Sequence, residues 1–125
     1  MQIRVYYEDT DCGNIVYYAN YLRYMERSRT EYLRERGIDL SEWLQKGVMF
    51  IVVEAQVKYR SPARYNDILD VESTVSELTS ASVVFSTTVY RHKGPLLTKG
   101  IVRLACVNSE GQVKRIPEKI QRVLQ

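Results

Sequence analysis

Apolar and polar residues alternate with the period of a β-strand along most of the second half of the chain. Four runs after Gly47 are rich in β-branched residues, and in one of them Val83, Phe85 and Val89 alternate with smaller or more polar neighbours. Turn residues such as Ser61-Pro62 separate these runs. The pattern predicts strands over residues 48–60, 67–78, 82–91 and 96–107, and the short turns favour antiparallel pairing.

The first third of the chain has a different pattern. Residues 2–8 are rich in Val and Tyr and predict a first strand, which an acidic turn at residues 9–14 ends. From about Tyr18 to Arg36, apolar residues recur every three or four positions and predict a long amphipathic helix, with Gly37 as its left-handed cap. We expect a short helical turn capped by Ser41 and a last brief helix after Pro117.

One long helix against five or six antiparallel strands is an α+β arrangement. With 125 residues, of which 45% are hydrophobic, we expect residues 1–125 to form a single domain. A single helix covers only one face of such a sheet, and the apolar run Val48–Val53 would make an edge strand that needs a partner. Both features predict a homo-oligomer, either a dimer or a higher oligomer.

Composition narrows the classes of function. The net charge of +3 suits a ligand that carries phosphates. The basic residues do not form the clustered stripe of a nucleic-acid-binding surface, so nucleic-acid binding is the least favoured of the candidate functions. Two cysteines and one histidine provide neither a disulfide framework nor a convincing metal site. The longest apolar run is too short for a membrane span and no signal segment follows Met1, so we expect a cytoplasmic protein.

The acidic turn directly before the long helix carries groups that can take part in catalysis. Free backbone N–H groups at a helix N-terminus can polarise a carbonyl oxygen, while a nearby carboxylate such as Asp11 activates water. An aspartate in this position is more commonly a turn or cap residue, and this segment alone leaves both interpretations open.

Two segments together resemble a known family. The stretch from Tyr7 through Asp11 to Leu22 and the turn from Tyr59 to Asp67 are similar to the signature of the 4-hydroxybenzoyl-CoA thioesterases, in particular the YbgC-type acyl-CoA thioesterases. The resemblance extends over essentially the whole chain. It implies the HotDog fold, in which the sheet wraps around the long helix, and assembly as a dimer or a tetramer. It also implies hydrolysis of acyl-CoA to free acid and CoA without a cofactor or a metal.

The resemblance also implies roles for particular residues. Asp11 corresponds to the catalytic carboxylate, acting as general base or as nucleophile, and the backbone N–H of Tyr18 would face the thioester carbonyl. Tyr7 matches a tyrosine that many members carry four residues before that aspartate. The chain departs from the family at two positions, because Tyr18 stands where many members have histidine and Asn14 where glycine is common.

We predict an acyl tunnel between helix and sheet at the subunit boundary, with Tyr21, Met25 and Phe50 as lining residues. Arg64 and Arg91 are the candidates for the CoA phosphates, because guanidinium groups match phosphate geometry.

Two alternatives stay open at this stage. Glu26 is a second candidate catalytic carboxylate, although an ion pair with Arg23 or Arg29 is the expected use of this side chain. At the level of function, the alternative is a non-catalytic HotDog protein that binds acyl groups or serves as a scaffold. A thiol-release assay separates this alternative from the enzyme.

Overall fold

A single antiparallel sheet of five strands dominates the computed structural model, which describes all residues from 1 to 125. The strands are β1 (Gln2–Arg4), β2 (Met49–Tyr59), β3 (Ile68–Leu78), β4 (Ser82–Arg91) and β5 (Leu96–Val107). Their order in the sheet is β1-β3-β4-β5-β2, so β2 lies at an edge. The α+β arrangement is confirmed, and the four long strands match their predicted bounds to within one residue. The first strand is shorter than predicted, because a 3₁₀ turn at Tyr7–Asp9 follows it.

The long helix α1 (Asn20–Glu35) begins two residues later than the apolar pattern predicts. Tyr17–Ala19 instead form a turn in which the Asn20 N–H donates to the Tyr17 carbonyl at 2.8 Å. The predicted cap at the other end is confirmed: Gly37 has φ +83°, and the Ile38 N–H returns to the Leu33 carbonyl at 2.9 Å. None of the helices combines the length and the apolar character that a membrane span requires.

Two short helices complete the chain. The helix α2 (Leu40–Gln45) is capped by Asp39 and not by Ser41, which corrects the sequence-based prediction. The Asp39 carboxylate accepts hydrogen bonds from the Ser41 N–H at 2.9 Å and from the Ser41 hydroxyl at 2.6 Å. The predicted last helix is confirmed as α3 (Glu118–Leu124), directly after Pro117.

The helix α1 lies mainly over β3, with fewer contacts to β4 and β5. It approaches β5 closely at Gly100, where a Cβ atom would lie 2.4 Å from the Met25 Sδ. Because α1 makes little contact with β2, the edge strand is left largely uncovered. Ile51, Val52 and Val53 on this strand are exposed to 44%, 53% and 53%. The chain alone therefore presents an apolar sheet edge to solvent.

Candidate active site

Asp11 lies in a tight turn that main-chain hydrogen bonds define. Its N–H donates to the Ile15 carbonyl at 2.9 Å, and its carbonyl accepts from the Asn14 N–H at 3.0 Å. Asn14 adopts the left-handed conformation, with φ +62°, as expected for an asparagine that replaces glycine. The Asp11 Oδ1 accepts the Gly13 N–H at 2.8 Å, whereas Oδ2 makes no hydrogen bond to the protein. One oxygen thus fixes the carboxylate and the other stays available.

The same turn is attached directly to the start of α1. The Asp9 carbonyl accepts both the Tyr17 N–H at 2.9 Å and the Asn20 side-chain amide at 2.8 Å. The Asp9 carboxylate accepts the Tyr6 N–H at 2.8 Å, so Asp9 shapes the turn, as its sequence context indicates. These bonds place the segment that carries Asp11 beside the first residues of the helix.

The peptide groups just before α1 have unused donors. The N–H groups of Tyr18 and Ala19 find no acceptor within the chain. The Tyr18 carbonyl accepts a hydrogen bond from the Tyr59 hydroxyl at 3.0 Å, and Tyr59 is the last residue of β2. Sequence reasoning gave Tyr59 and Asn20 no role in the site, because their partners lie far along the chain or belong to the main chain.

Exposed tyrosines surround this region. The rings of Tyr17 and Tyr18 lie 4.9 Å apart, and Tyr18 meets Tyr59 edge to face at 6.3 Å. The adjacent Tyr18 hydroxyl and, to a smaller extent, the Asp11 carboxylate raise the pKa of Tyr17. Tyr7, exposed to 76%, packs edge to face against Tyr65 at 6.1 Å. Tyr18 therefore stands in the aromatic group next to Asp11, whereas Tyr7 packs against the following loop.

That loop, residues 61–67, supports the Asp11 turn. The Val16 N–H donates to the Ala63 carbonyl at 2.8 Å, and Ile15 pairs with Arg64. The side chains of Tyr21 and Arg91 stabilise the loop through hydrogen bonds. The Tyr21 hydroxyl accepts the Ala63 N–H at 3.1 Å, and burial raises the pKa of Tyr21.

Arg91 is bound within the chain. Its Nε donates to the Asp67 carboxylate at 3.2 Å, and its terminal nitrogen donates to the Pro62 carbonyl at 3.1 Å. The Asp67 carboxylate also accepts the Arg64 N–H at 2.9 Å. The Arg64 guanidinium, by contrast, is exposed and has no partner in the chain. The structure therefore gives Arg91 a supporting position and leaves Arg64 accessible to a phosphate.

A buried hydroxyl lies beneath the acidic turn. The Tyr24 side chain is 1% exposed, and its hydroxyl makes no hydrogen bond. Burial, reinforced by the nearby Asp9 carboxylate, raises the pKa of Tyr24 far above its ordinary value. Tyr24 stays neutral and acts as a core residue.

A groove lies between α1 and the edge strand β2, and we name it the α1–β2 groove. It encloses about 370 Å³ and is lined by 14 residues, of which 11 are hydrophobic, including Phe50 and Val52. Tyr21 and Met25, predicted as lining residues, are only 2% and 0% exposed and belong to the core under the helix. Phe50 is the one predicted lining residue that the structure places at a cavity wall.

Three polar residues line the same groove: Glu26, Arg29 and Thr30. The Glu26 carboxylate accepts the Thr30 hydroxyl at 2.9 Å and forms no ion pair with Arg23 or Arg29, which corrects the predicted pairing. No group of three or more His, Cys, Asp or Glu residues is arranged to hold a metal ion. Glu26 lies in the second turn of α1, whereas Asp11 lies on the segment that carries the unused N–H groups of Tyr18 and Ala19.

Comparison with known proteins places this chain in a family. The family model of the thioesterase-like superfamily matches residues 5–124 of this chain. The acyl-CoA thioester hydrolase YbgC of Escherichia coli O6:H1 is 36% identical over 106 residues, which cover 85% of this chain and 79% of that protein. The acyl-CoA thioesterase YbgC of Haemophilus influenzae is 40% identical over 107 residues, which cover 85% and 78%.

A solved structure agrees with these matches. A hypothetical protein from Aquifex aeolicus superposes with a TM-score of 0.95 at 29% identity, over 100% of this chain and 98% of that one. The arrangement of strands and helices described above is thus the HotDog fold that the motifs predicted. The chain belongs to the thioesterase-like superfamily, as a HotDog-fold thioesterase of the YbgC type.

Proposed function

We propose that this protein hydrolyses acyl-CoA thioesters to the free acid and CoA, with Asp11 as the reacting carboxylate. The observation that supports this most directly is the attachment of the Asp11 turn to the start of α1 through the Asp9 carbonyl. A carboxylate and two unused N–H donors lie on the same short segment. The names of the YbgC relatives indicate the same reaction class.

The carboxylate has one oxygen free for chemistry. Gly13 binds Asp11 Oδ1, so Oδ2 is available either to take a proton from water or to attack the thioester carbon. The first route gives a tetrahedral intermediate from water directly. The second gives a mixed anhydride, which water then hydrolyses. Both routes place negative charge on the former carbonyl oxygen.

The free N–H groups of Tyr18 and Ala19 are the proposed hydrogen-bond donors to that charged oxygen. Removal of one oxyanion-hole donor in other enzymes costs about 3–4 kcal/mol of transition-state stabilisation. The leaving thiolate needs little help, because a free thiol has a pKa of about 8.5. This explains how the reaction can proceed with Tyr18 where relatives of this family often carry histidine.

Two further residues complete the proposed site. Arg64 follows the supported Ala63 and presents a free guanidinium, so we assign it to the CoA phosphates. Tyr7 packs edge to face against Tyr65 in the neighbouring loop and would flank the nucleotide of the same CoA. We assign Arg91 and Tyr21 to loop support, on the basis of their hydrogen bonds.

The proposed active form is a dimer. The edge strand β2 exposes Ile51, Val52 and Val53, and unpaired edges of this kind favour addition of another strand. Pairing of β2 with its copy would continue the sheet through both subunits. It would also bring a second chain over the α1–β2 groove, which a single helix leaves open.

The substitution Asp11→Asn tests the proposal. Asparagine keeps an oxygen that can accept the Gly13 N–H, so we expect the turn to stay folded. Loss of the base or nucleophile should lower kcat about a hundredfold or more. Thiol release from short aliphatic, long aliphatic and aromatic acyl-CoA measures the activity, and thermal melting checks the fold.

The control is Glu8→Gln, a neighbouring exposed carboxylate whose side chain makes no hydrogen bond. It should retain wild-type rates. Equal rates for Asp11→Asn and wild type would refute the role of Asp11. Absence of thiol release from every acyl-CoA, together with measurable acyl-CoA binding, would favour the non-catalytic acyl-binding alternative.

A further inference from the structure

Asn20 is the first residue of α1, and its half-buried side chain forms a hydrogen bond outside the helix. The Asn20 Nδ2 donates to the Asp9 carbonyl at 2.8 Å. An asparagine at a helix start more commonly accepts helix N–H groups with its side-chain oxygen. No side-chain cap of this kind is present at the start of α1. The Asn20 side chain is therefore used to hold another segment and not to cap its own helix.

The Asp9 carbonyl oxygen holds both ends of the turn from Tyr17 to Asn20. The turn is closed by the Asn20 N–H, which donates to the Tyr17 carbonyl at 2.8 Å. At its beginning the Tyr17 N–H donates to the Asp9 carbonyl at 2.9 Å, and at its end the Asn20 amide donates to the same oxygen. A carbonyl oxygen has two lone pairs and can accept both. Tyr18 and Ala19, whose N–H groups are free, are the middle residues of this turn.

The same oxygen also belongs to the segment that carries Asp11, two residues further along the chain. The link to the Tyr17 N–H is a main-chain hydrogen bond, which does not depend on the residue type. Asn20 supplies the side-chain part of the link, and both hydrogen bonds lie within one chain. They are therefore present whether or not a second copy covers the neighbouring surface.

We propose that Asn20 is a positioning residue, which fixes the N–H groups of Tyr18 and Ala19 relative to the Asp11 carboxylate. The proposal rests on the proposed thioesterase function and deepens it, because it names a side chain that controls the site without contact with the substrate. Oxyanion donors act only when they point at the position where the charge develops. A displacement of about 1 Å in an active site can lower the rate about a hundredfold.

The substitution Asn20→Ala removes the side-chain link and keeps the main-chain one. We expect kcat to fall about ten- to a hundredfold with KM nearly unchanged, because misaligned donors stabilise the transition state less and contribute little to binding of the ground state. Thiol release from acyl-CoA under steady-state conditions measures both constants.

The matched control is Asn108→Ala. The Asn108 side-chain oxygen accepts the N–H groups of Glu110 and Gln112, each at 3.0 Å. Tyr59 marks the end of the β2–β5 pair near the site, and Asn108 follows Val107 at the opposite end. This control should lower the melting temperature and leave kcat unchanged, so that a loss of stability is distinguished from a loss of positioning.

The substitution Asn20→Asp gives a readout that depends on pH. A carboxylate cannot donate to the Asp9 carbonyl, whereas a protonated carboxyl can. The ratio of kcat for Asn20→Asp to kcat for wild type cancels the titration of groups that both proteins share, including Asp11. We expect this ratio to be about 0.1 or less at about pH 7.5 and to rise toward about pH 5, because a half-buried carboxyl beside a carbonyl oxygen has a pKa above the ordinary value of about 3.9.

The corresponding ratio for Asn20→Ala should stay constant over the same pH range, because alanine does not titrate. A role of Asn20 in folding alone predicts a constant ratio for both variants. A constant ratio for Asn20→Asp would therefore contradict the positioning role.

Hydrogen exchange measured by NMR tests the inference without catalysis. We expect the Tyr17 N–H to exchange at least about tenfold faster in Asn20→Ala than in wild type, because the turn opens more often when one of its two links is lost. Asn108→Ala should leave this rate unchanged. Equal exchange of the Tyr17 N–H in Asn20→Ala and wild type overturns the inference, and so does a wild-type kcat in Asn20→Ala. Faster exchange in Asn20→Ala, together with a wild-type protein that hydrolyses no acyl-CoA, would contradict the proposed function and support Asn20 as the residue that fixes this turn.

Discussion

At the scale of single residues, the contact between Tyr59 and Tyr18 stands out. The Tyr59 hydroxyl donates to the Tyr18 carbonyl, and the N–H of that same peptide group belongs to Ala19. A hydrogen bond on the carbonyl of a peptide strengthens the N–H as a donor, since the bonds polarise one another. Tyr59 is therefore a positioning residue for the proposed oxyanion donors, and it acts without touching the substrate.

Tyr59→Phe removes this one hydroxyl and leaves the ring in place. We expect kcat to fall about three- to tenfold with KM nearly unchanged, because one hydrogen bond of ~1 kcal/mol is lost and the ring packing stays. Steady-state kinetics with the best acyl-CoA measures this split. Tyr90→Phe, whose hydroxyl makes no hydrogen bond, should leave both constants unchanged. A loss in KM alone would contradict the positioning role.

At the scale of elements, the cap of α2 depends on a charged side chain. Hydrogen bonds from the Ser41 hydroxyl and the Ser41 N–H hold the pKa of Asp39 below its ordinary value. A carboxyl whose pKa is lowered on folding stabilises the fold above its ordinary pKa of about 3.9. That stabilisation is lost as the pH falls through the pKa of the folded state.

The variant Asp39→Ala should therefore melt at a lower temperature than wild type at pH 7, and the difference should shrink below about pH 4. Asp39→Asn is the matched control, because its amide oxygen accepts the same hydrogen bonds without titrating. We expect Asp39→Asn to melt close to wild type at pH 7. A melting difference for Asp39→Ala that stays constant from pH 7 to pH 3 would show that the carboxylate charge has no part in the cap.

Elements with a clear period were predictable from the sequence, whereas contacts between distant segments were not. The four long strands were found within one residue because alternation marks a half-buried strand along its whole length, whereas the first strand ends earlier than predicted. The start of α1 was placed too early, since Tyr17–Ala19 continue the apolar pattern but form a turn held by Asp9. The apolar period also put Met25 and Arg29 on one face, and it cannot distinguish a core position from a groove wall.

In the candidate site, too, local features were predictable from the sequence and contacts between distant segments were not. The Asp11 turn was predictable because its residues are consecutive and match a family motif. The role of Arg91 was not, because its acceptors on Pro62 and Asp67 become neighbours only when β3 and β4 pair. The roles of Asp11 as the reacting group and of Tyr7 and Arg64 in substrate binding stay predictions until the variants are assayed.

At the scale of the whole molecule, the open edge of β2 predicts association. We expect wild-type protein to be at least a dimer, and Val53→Lys to shift it toward the monomer, because a charged side chain at a sheet edge opposes strand addition. Light scattering after size-exclusion chromatography measures both at equal concentration. Thr74→Lys, an exposed substitution on β3, should keep the wild-type mass. A monomeric wild type would contradict the proposed dimer.

The turn that carries Asp11 keeps its shape through main-chain atoms: the carbonyls of Asp9, Ile15 and Ala63 accept its N–H groups. The aromatic side chains around it contribute little to that framework. Natural variation at these tyrosines can therefore alter which acyl groups fit, while the position of the reacting oxygen is unchanged. A protein with this turn can therefore acquire new substrates through single side-chain replacements, while the position of the reacting carboxylate is preserved.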